Sequence, residues 1–163
     1  ITQHVLDQRG ADPGGERTTR PGDQLDTAGP RRLVEAGFDP ERPTAWLAEG
    51  LLVYLTADQA AGLLTAVGTL SAPGSRLLLE KGRDVTSTPQ DPTLAHITDL
   101  WQGGLGPQTH EWLDAHGWTT RLTLLDEVAA AYGRPFPPGS GPSTTGFIEA
   151  VRTADNGPAG PAR

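Results

Sequence analysis

The clearest candidate for a functional side chain is Glu49, which directly follows the apolar segment Thr44 to Ala48. That segment has the length and composition of a short buried strand of a parallel sheet. Ligands of open parallel sheets bind beyond the carboxyl ends of the strands, and Gly50 allows the chain to turn away sharply at this point. A carboxylate there can hold a cationic or hydrogen-bond-donating ligand group. The simpler alternative is a solvated loop residue.

Other catalytic chemistries find less support in the sequence. There is no cysteine, and therefore no thiolate zinc site or cysteine nucleophile. His110 and His116 lack the spacing needed to share a metal ion on one helix face, so no metal site is predicted. A G-x-S-x-G nucleophile elbow is absent, and Ser75 precedes a strand instead of following one. His4 and His96 show no evident partner, which leaves a histidine general base as a minor alternative.

Composition limits the partners that the protein could bind. The chain of 163 residues has 13 basic and 20 acidic residues and a net charge of −7. A nucleic-acid partner is not expected, because such binding needs a cationic surface that displaces counterions. No apolar run approaches the roughly 20 residues that span a bilayer, and the start ITQHVLDQRG lacks the character of a signal peptide. A cytoplasmic protein without membrane contacts is therefore expected.

Strands and helices alternate along the chain, which predicts an α/β fold with a mostly parallel sheet. Helices are predicted at Ile1 to Gly10, Pro30 to Gly37, from Thr56 onward, at 94–102, at 108–116 and after Asp126, which would cap the last one. Strands are predicted near Thr18 and at Thr44 to Ala48, 76–81, 118–125 and Gly146 to Val151, the last one antiparallel beside its predecessor. Thr56 and Gln59 have the spacing of a capping box. Loops are predicted at 82–93 and 134–145.

Four segments together carry a family resemblance: AGFDPERPTAWLAEGLLVYL, LSAPGSRLLLE, EWLDAHGW and AAAYGRP. In order and spacing, from Val5 to Arg152, the chain resembles the actinobacterial S-adenosylmethionine-dependent methyltransferases of the leucine carboxyl methyltransferase family. The resemblance implies a class I methyltransferase (Rossmann-like) sheet with flanking helices. It also implies S-adenosylmethionine as the cofactor and methyl transfer to a carboxylate or hydroxyl oxygen of a small-molecule acceptor. Residues 1–152 would form the C-terminal part of that domain, followed by a disordered tail at 153–163.

The resemblance assigns cofactor-binding roles to few positions. Glu49 would lie beside the methionine end of the cofactor, where a carboxylate suits the ammonium group. The family's Asp-Leu pair after the third strand, next to the adenine, falls on Gln24 and Leu25, with Asp23 one residue early. The chain departs from the family here. Either Asp23 supplies the carboxylate after a small shift, or adenine recognition is weakened.

Two aromatic residues are candidates for the acceptor side of the site. The resemblance would place Tyr54, in the run EGLLVYL, near the acceptor, and the alternative is a half-buried aromatic at a helix start. Trp101 is the tryptophan best placed to contact a substrate, because it precedes the sequence QGGLG, which is predicted to be flexible. Packing is the simpler role for Trp101 and for the other tryptophans.

The family's glycine-rich loop after the first strand, and its acidic residue after the second, have no counterpart in this sequence. Gly14-Gly15 and Gly103-Gly104 are isolated pairs, and Met is absent even at position 1. These features predict part of a longer polypeptide that lacks the first two strands. The fourth, fifth, seventh and sixth strands would remain as one block with an open edge. Whether the chain is an enzyme stays open: a truncated, impaired methyltransferase is expected, and the alternative is a non-catalytic remnant or interaction domain that self-associates through that edge.

Overall fold

The computed structural model describes residues 26–81, 95–137 and 143–154, together with Gln8, Gly10, Gly22 and Thr93. The helices are α1 (Gly29–Glu35), α2 (Ala57–Thr69), α3 (Ala95–Thr98), α4 (Thr109–Ala115) and α5 (Leu125–Ala131). The strands are β1 (Ala45–Ala48), β2 (Arg76–Glu80), β3 (Trp118–Leu124) and β4 (Gly146–Arg152). Short 3₁₀ turns, Leu52–Tyr54 and Gly106–Gln108, precede α2 and α4. The predicted strand near Thr18, most of the predicted helix at 1–10 and loop at 82–93, and the tail beyond residue 154 lie outside the described residues.

The described strands form one sheet in the order β1-β2-β4-β3. β1 and β2 are parallel, with Leu47 opposite Leu78. β4 lies between β2 and β3 and runs antiparallel to both. The predicted α/β class and the antiparallel final strand are therefore confirmed, as is the order expected for the fourth, fifth, seventh and sixth strands of a class I methyltransferase sheet.

The core lies on one face of this sheet. Leu77 and Leu79 of β2 and Ile148 and Ala150 of β4 are at most 1% exposed, and they pair across the two strands. Burying a side chain of the size of Leu or Ile stabilises the fold by about 1.5–3 kcal/mol. The same buried cluster includes residues of the helices and of β3: Ala60, Leu64, Leu113 and Trp118.

The other face of the sheet is largely open in the described part of the chain. Leu47 is 68% exposed and Leu78, its neighbour across β1 and β2, is 41% exposed. Successive side chains of a strand point to opposite faces, so β1 alternates between exposed and half-buried residues and β2 between exposed and buried ones. The prediction of a buried strand at Thr44 to Ala48 is therefore wrong for the described chain, and the strand at 76–81 is buried on one face only.

The clearest sequence prediction of a helix is confirmed at α2. The Thr56 hydroxyl accepts a hydrogen bond from the Gln59 backbone N–H at 3.2 Å, and the Thr56 N–H donates to Gln59 Oε1 at 2.9 Å. This reciprocal capping box satisfies backbone groups that the first turn leaves without partners. It begins α2 directly after the turn that follows β1.

Two predicted helix boundaries differ from the structure. Asp126 does not cap the last helix: α5 begins at Leu125 after the extended residue Leu124, and Asp126 Oδ1 accepts from the neighbouring Glu127 N–H instead. The helix predicted at 94–102 is limited to Ala95–Thr98. It ends early because the residues that follow belong to a turn segment in which glycines adopt positive φ.

Candidate active site

The carboxyl ends of β1 and β2 meet the start of β4 at one edge of the sheet. The backbone N–H of Lys81, just after β2, donates to the Gly146 carbonyl at 2.8 Å. The N–H of Leu125, just after β3, donates to the Thr145 carbonyl at 2.9 Å. A cavity of about 350 Å³ opens at this edge, lined by residue 48, the turn 50–54, the strand ends 80–81 and 145–147, and parts of the segment 101–109.

Glu49 lies where the sequence predicts, directly after β1 and between two residues, Ala48 and Gly50, that line the cavity. Its side chain is exposed, and no ion pair among the described residues includes it. Gly50 has φ 60°, which a residue with a side chain adopts only with strain. The sharp turn at Gly50 leaves the carboxylate at the carboxyl edge of the sheet.

Tyr54 lies on the 3₁₀ turn and lines the cavity with its side chain 40% exposed. The turn itself is held by Leu52 and Leu55, which are buried in the core. Tyr54 therefore lines the cavity on a turn that stays attached to the core. Its role as a contact of the acceptor stays a prediction.

Trp101 also lines the cavity, and the segment after it is held in place. The N–H groups of Gln102 and Gly103 both donate to the Val53 carbonyl, at 2.8 and 3.0 Å, and the Gly104 N–H donates to the Leu55 carbonyl at 2.8 Å. The prediction that QGGLG is flexible is therefore wrong. Backbone hydrogen bonds attach this segment to the turn that carries Tyr54, so the two aromatic side chains belong to one unit of the cavity wall.

Two charged cavity residues, Glu80 and Lys81, are not among the candidates from the sequence. Glu80 is the last residue of β2, and Glu49 is the first residue after β1. The segment RLLLEK therefore shows the same pattern as the segment before Glu49, an apolar strand with a charged residue at its carboxyl end. Lys81 directly follows β2 and falls under the same signal, but its hydrogen bonds to the Gly146 and Thr144 carbonyls depend on a strand that lies more than sixty residues later and could not be identified from the segment.

The adenine-side candidates Asp23, Gln24 and Leu25 lie outside the described residues. Ser75, which the sequence disfavours as a nucleophile, is 0% exposed, and its hydroxyl accepts from the Thr44 N–H at 3.0 Å. It therefore has a structural role at the turn before β2.

The histidines of the described chain do not line the cavity. The His116 ring stacks on Trp112 with centroids 3.7 Å apart, and His116 Nδ1 lies 2.6 Å from the Trp112 carbonyl. His110 is half-buried in α4, and His96 is exposed on α3.

Within residues 26–81, 95–137 and 143–154, no group of three His, Asp or Glu side chains could hold a metal ion. Within the same ranges, no helix combines the length and apolarity needed to cross a bilayer.

Comparison with known proteins identifies the family. Residues 1–68 match the family model for leucine carboxyl methyltransferase. A protein from Frankia alni, named as an S-adenosyl-L-methionine-dependent methyltransferase, is 44% identical over 154 residues, which cover 92% of this chain and 54% of that protein. The predicted resemblance to the leucine carboxyl methyltransferase family is therefore confirmed. A protein from Mycolicibacterium smegmatis with the same kind of name is 42% identical, and the match covers 78% of this chain and 46% of that protein. The chain thus spans about half the length of the curated relatives it matches.

Solved structures show the same fold as this chain. An O-methyltransferase family protein from Burkholderia thailandensis superposes with a TM-score of 0.56 at 16% identity, covering 94% of this chain and 40% of that one. Mitomycin 7-O-methyltransferase superposes with a TM-score of 0.51 at 21% identity, covering 93% of this chain and 38% of that one. The sheet described above is therefore a class I methyltransferase sheet.

Proposed function

We propose that this chain is the part of an S-adenosylmethionine-dependent O-methyltransferase that holds the methionine end of the cofactor and the methyl acceptor. The observation that carries the proposal is the position of Glu49, an exposed carboxylate that directly follows β1 and lies in the chain between two lining residues, Ala48 and Gly50, without itself being part of the described lining. Open parallel sheets bind ligands at this edge. The similarity to the family model and to the Frankia alni methyltransferase supports the class of reaction.

The described residues at this edge fit the methionine end of the cofactor by their chemistry. A carboxylate forms short, charge-assisted hydrogen bonds with an ammonium group, and no described cation pairs with Glu49 in its place. In this proposal Glu49 holds the ammonium group of the cofactor. Asp23, Gln24 and Leu25 serve the adenine end, with Asp23 or Gln24 in the polar role.

When bound, S-adenosylmethionine supplies a sulfonium-activated methyl group, whose C–S bond breaks toward sulfur as the new C–O bond forms. The contribution of the chain is to align the acceptor oxygen and to exclude water. Tyr54 and Trp101 would do so by enclosing the acceptor in the aromatic part of the cavity wall. A carboxylate acceptor is already nucleophilic, whereas a hydroxyl acceptor needs a base.

Calorimetric titration with S-adenosylmethionine tests the cofactor part of the proposal. We expect weak binding by the chain alone and micromolar binding by a chimera that adds the part of the Frankia alni relative that this chain does not match. In the chimera, Glu49→Gln should lower the affinity about tenfold, because one charge-assisted hydrogen bond is lost at an exposed site. Glu41→Gln is the matched control, since Glu41 is an exposed glutamate before β1, at the opposite end of the strand.

Equal losses for Glu49→Gln and Glu41→Gln would overturn the role of Glu49. Micromolar binding by the chain alone would overturn the expectation that residues 1–163 by themselves hold the cofactor poorly.

A second candidate function, an interaction domain that self-associates, is favoured by one observation. β1 lies at the edge of the described sheet, and its Leu47 is 68% exposed. Unpaired strand edges and exposed apolar residues promote association between chains.

Sedimentation velocity tests this candidate directly. If the chain self-associates through β1, Leu47→Glu should shift it to the monomer, because a charge would be buried without a partner in the contact. Leu100→Glu is the control, since Leu100 is 60% exposed but lies outside the sheet. A wild-type chain that sediments as a monomer at all concentrations contradicts this candidate.

A further inference from the structure

Lys81 is the only cationic side chain among the described residues that line the cavity. It is the single lysine of the chain, and Glu80 is the only other charged residue in the described lining. The remaining wall is mainly apolar and aromatic, with Leu51, Tyr54, Trp101 and Phe147 among its members. A pocket of this kind takes an apolar ligand body and uses its few polar groups to orient the ligand.

The Lys81 ammonium is held in position by the fold. Its backbone N–H donates to the Gly146 carbonyl at 2.8 Å and extends the pairing of β2 with β4. Its Nζ donates to the Thr144 carbonyl at 2.7 Å. An ammonium group has three donors, and none of the ion pairs among the described residues includes Lys81. The half-buried side chain therefore keeps donor capacity, and no ion pair among the described residues neutralises its positive charge at a cavity whose one other charged lining residue in the described chain is Glu80.

We infer that Lys81 is a specificity-determining residue that selects acceptors with an apolar body and an anionic group at one end. This inference rests on the proposed function in one respect, that the cavity receives the methyl acceptor. The charge would attract the anion more strongly here than in open water, because the apolar wall lowers the local dielectric constant. Glu80, at the same strand end, disfavours a second anionic group and so sharpens the preference for a single charge.

Equilibrium binding of three small probes tests the inference without the cofactor. The probes are 4-phenylbutyrate, 4-phenylbutanol and 4-phenylbutylamine, which share one apolar body and differ in the charge of the end group. The wild-type chain should bind the anion most tightly and the cation least. Lys81→Gln should weaken binding of the anion about tenfold, the usual size for loss of one charge-assisted hydrogen bond, and leave the alcohol unchanged. Lys81→Arg should restore most of the loss, because it keeps the charge.

Arg121→Gln is the matched control for net charge, because Arg121 is exposed on β3 and does not line the cavity. The inference is overturned if Arg121→Gln weakens binding of the 4-phenylbutyrate anion as much as Lys81→Gln does. It is also overturned if the wild-type chain binds the anion no better than the alcohol, or binds none of the probes. The titrations with S-adenosylmethionine remain a separate test of the proposed function, because probe binding requires neither the cofactor nor Glu49.

Discussion

Gly146→Ala should destabilise the chain by about 3 kcal/mol, near the upper end for overpacking. Gly146 begins β4, and a Cβ atom at this position would overlap the Thr123 carbonyl oxygen and lie 2.9 Å from the Leu124 Cα. Both neighbours are backbone atoms of β3, so neither can rotate away. The substitution must push β4 away from β3 at the edge where the cavity opens.

The free energy of unfolding in urea measures this cost, provided that the dependence on denaturant is unchanged. Gly62→Ala is the control, because Gly62 lies in α2 and a methyl group added there would have nothing within 4 Å. That control should stabilise the chain by about 0.5–1 kcal/mol, since alanine is the better helix former. If the two variants change stability in the same direction, the close approach of β3 and β4 at Gly146 is wrong.

Gly104→Ala should also destabilise the chain by about 3 kcal/mol, from two separate causes. Gly104 has φ 56°, and its Cβ would lie 2.6 Å from the Leu52 carbonyl oxygen. The left-handed backbone costs roughly 1 kcal/mol for alanine, and the overlap with the backbone adds roughly 2 kcal/mol. The hydrogen bonds from residues 102–104 to the turn at 53–55 would have to lengthen.

Gly106→Ala separates these two causes. Gly106 has φ 59°, almost the same backbone conformation, but nothing lies within 4 Å of its Cβ position. It should therefore show only the backbone cost of about 1 kcal/mol. Equal losses of unfolding free energy for the two alanine variants would show that the segment after Trp101 is not packed on the 3₁₀ turn.

Features of the fold that depend on neighbouring residues could be predicted from the sequence. Thr56 and Gln59 are three positions apart, and the capping box forms as their spacing requires. The turn before β2 follows from APGS, where Gly74 adopts φ 85° and the Ser75 N–H bonds to the Ala72 carbonyl. The strand order, by contrast, rests on the family resemblance, because pairing between distant strands leaves only weak local signals.

Features of the candidate site that depend on long-range backbone contacts could not be predicted. Glu49 is recognisable because one short segment contains both the strand and the carboxylate that follows it. Phe147 reaches the same cavity only through the antiparallel pairing of β2 with β4, and the same pairing supplies the Gly146 and Thr144 carbonyls that hold Lys81. The fixed conformation of QGGLG depends on carbonyl groups of Val53 and Leu55, and backbone acceptors have no residue type that a sequence could reveal.

The central place of β4 has a consequence for synthesis of the chain on the ribosome. In the sheet, β2 and β3 do not pair with each other, because β4 lies between them and pairs with both. β4 is also the last of the described strands to be translated. Until Gly146–Arg152 emerges, β3 has no partner strand among those described, and β2 is paired on one side only, with β1. Completion of the sheet is therefore expected to come late in synthesis, and the unpaired edge of β2 is open to association with other chains during that interval.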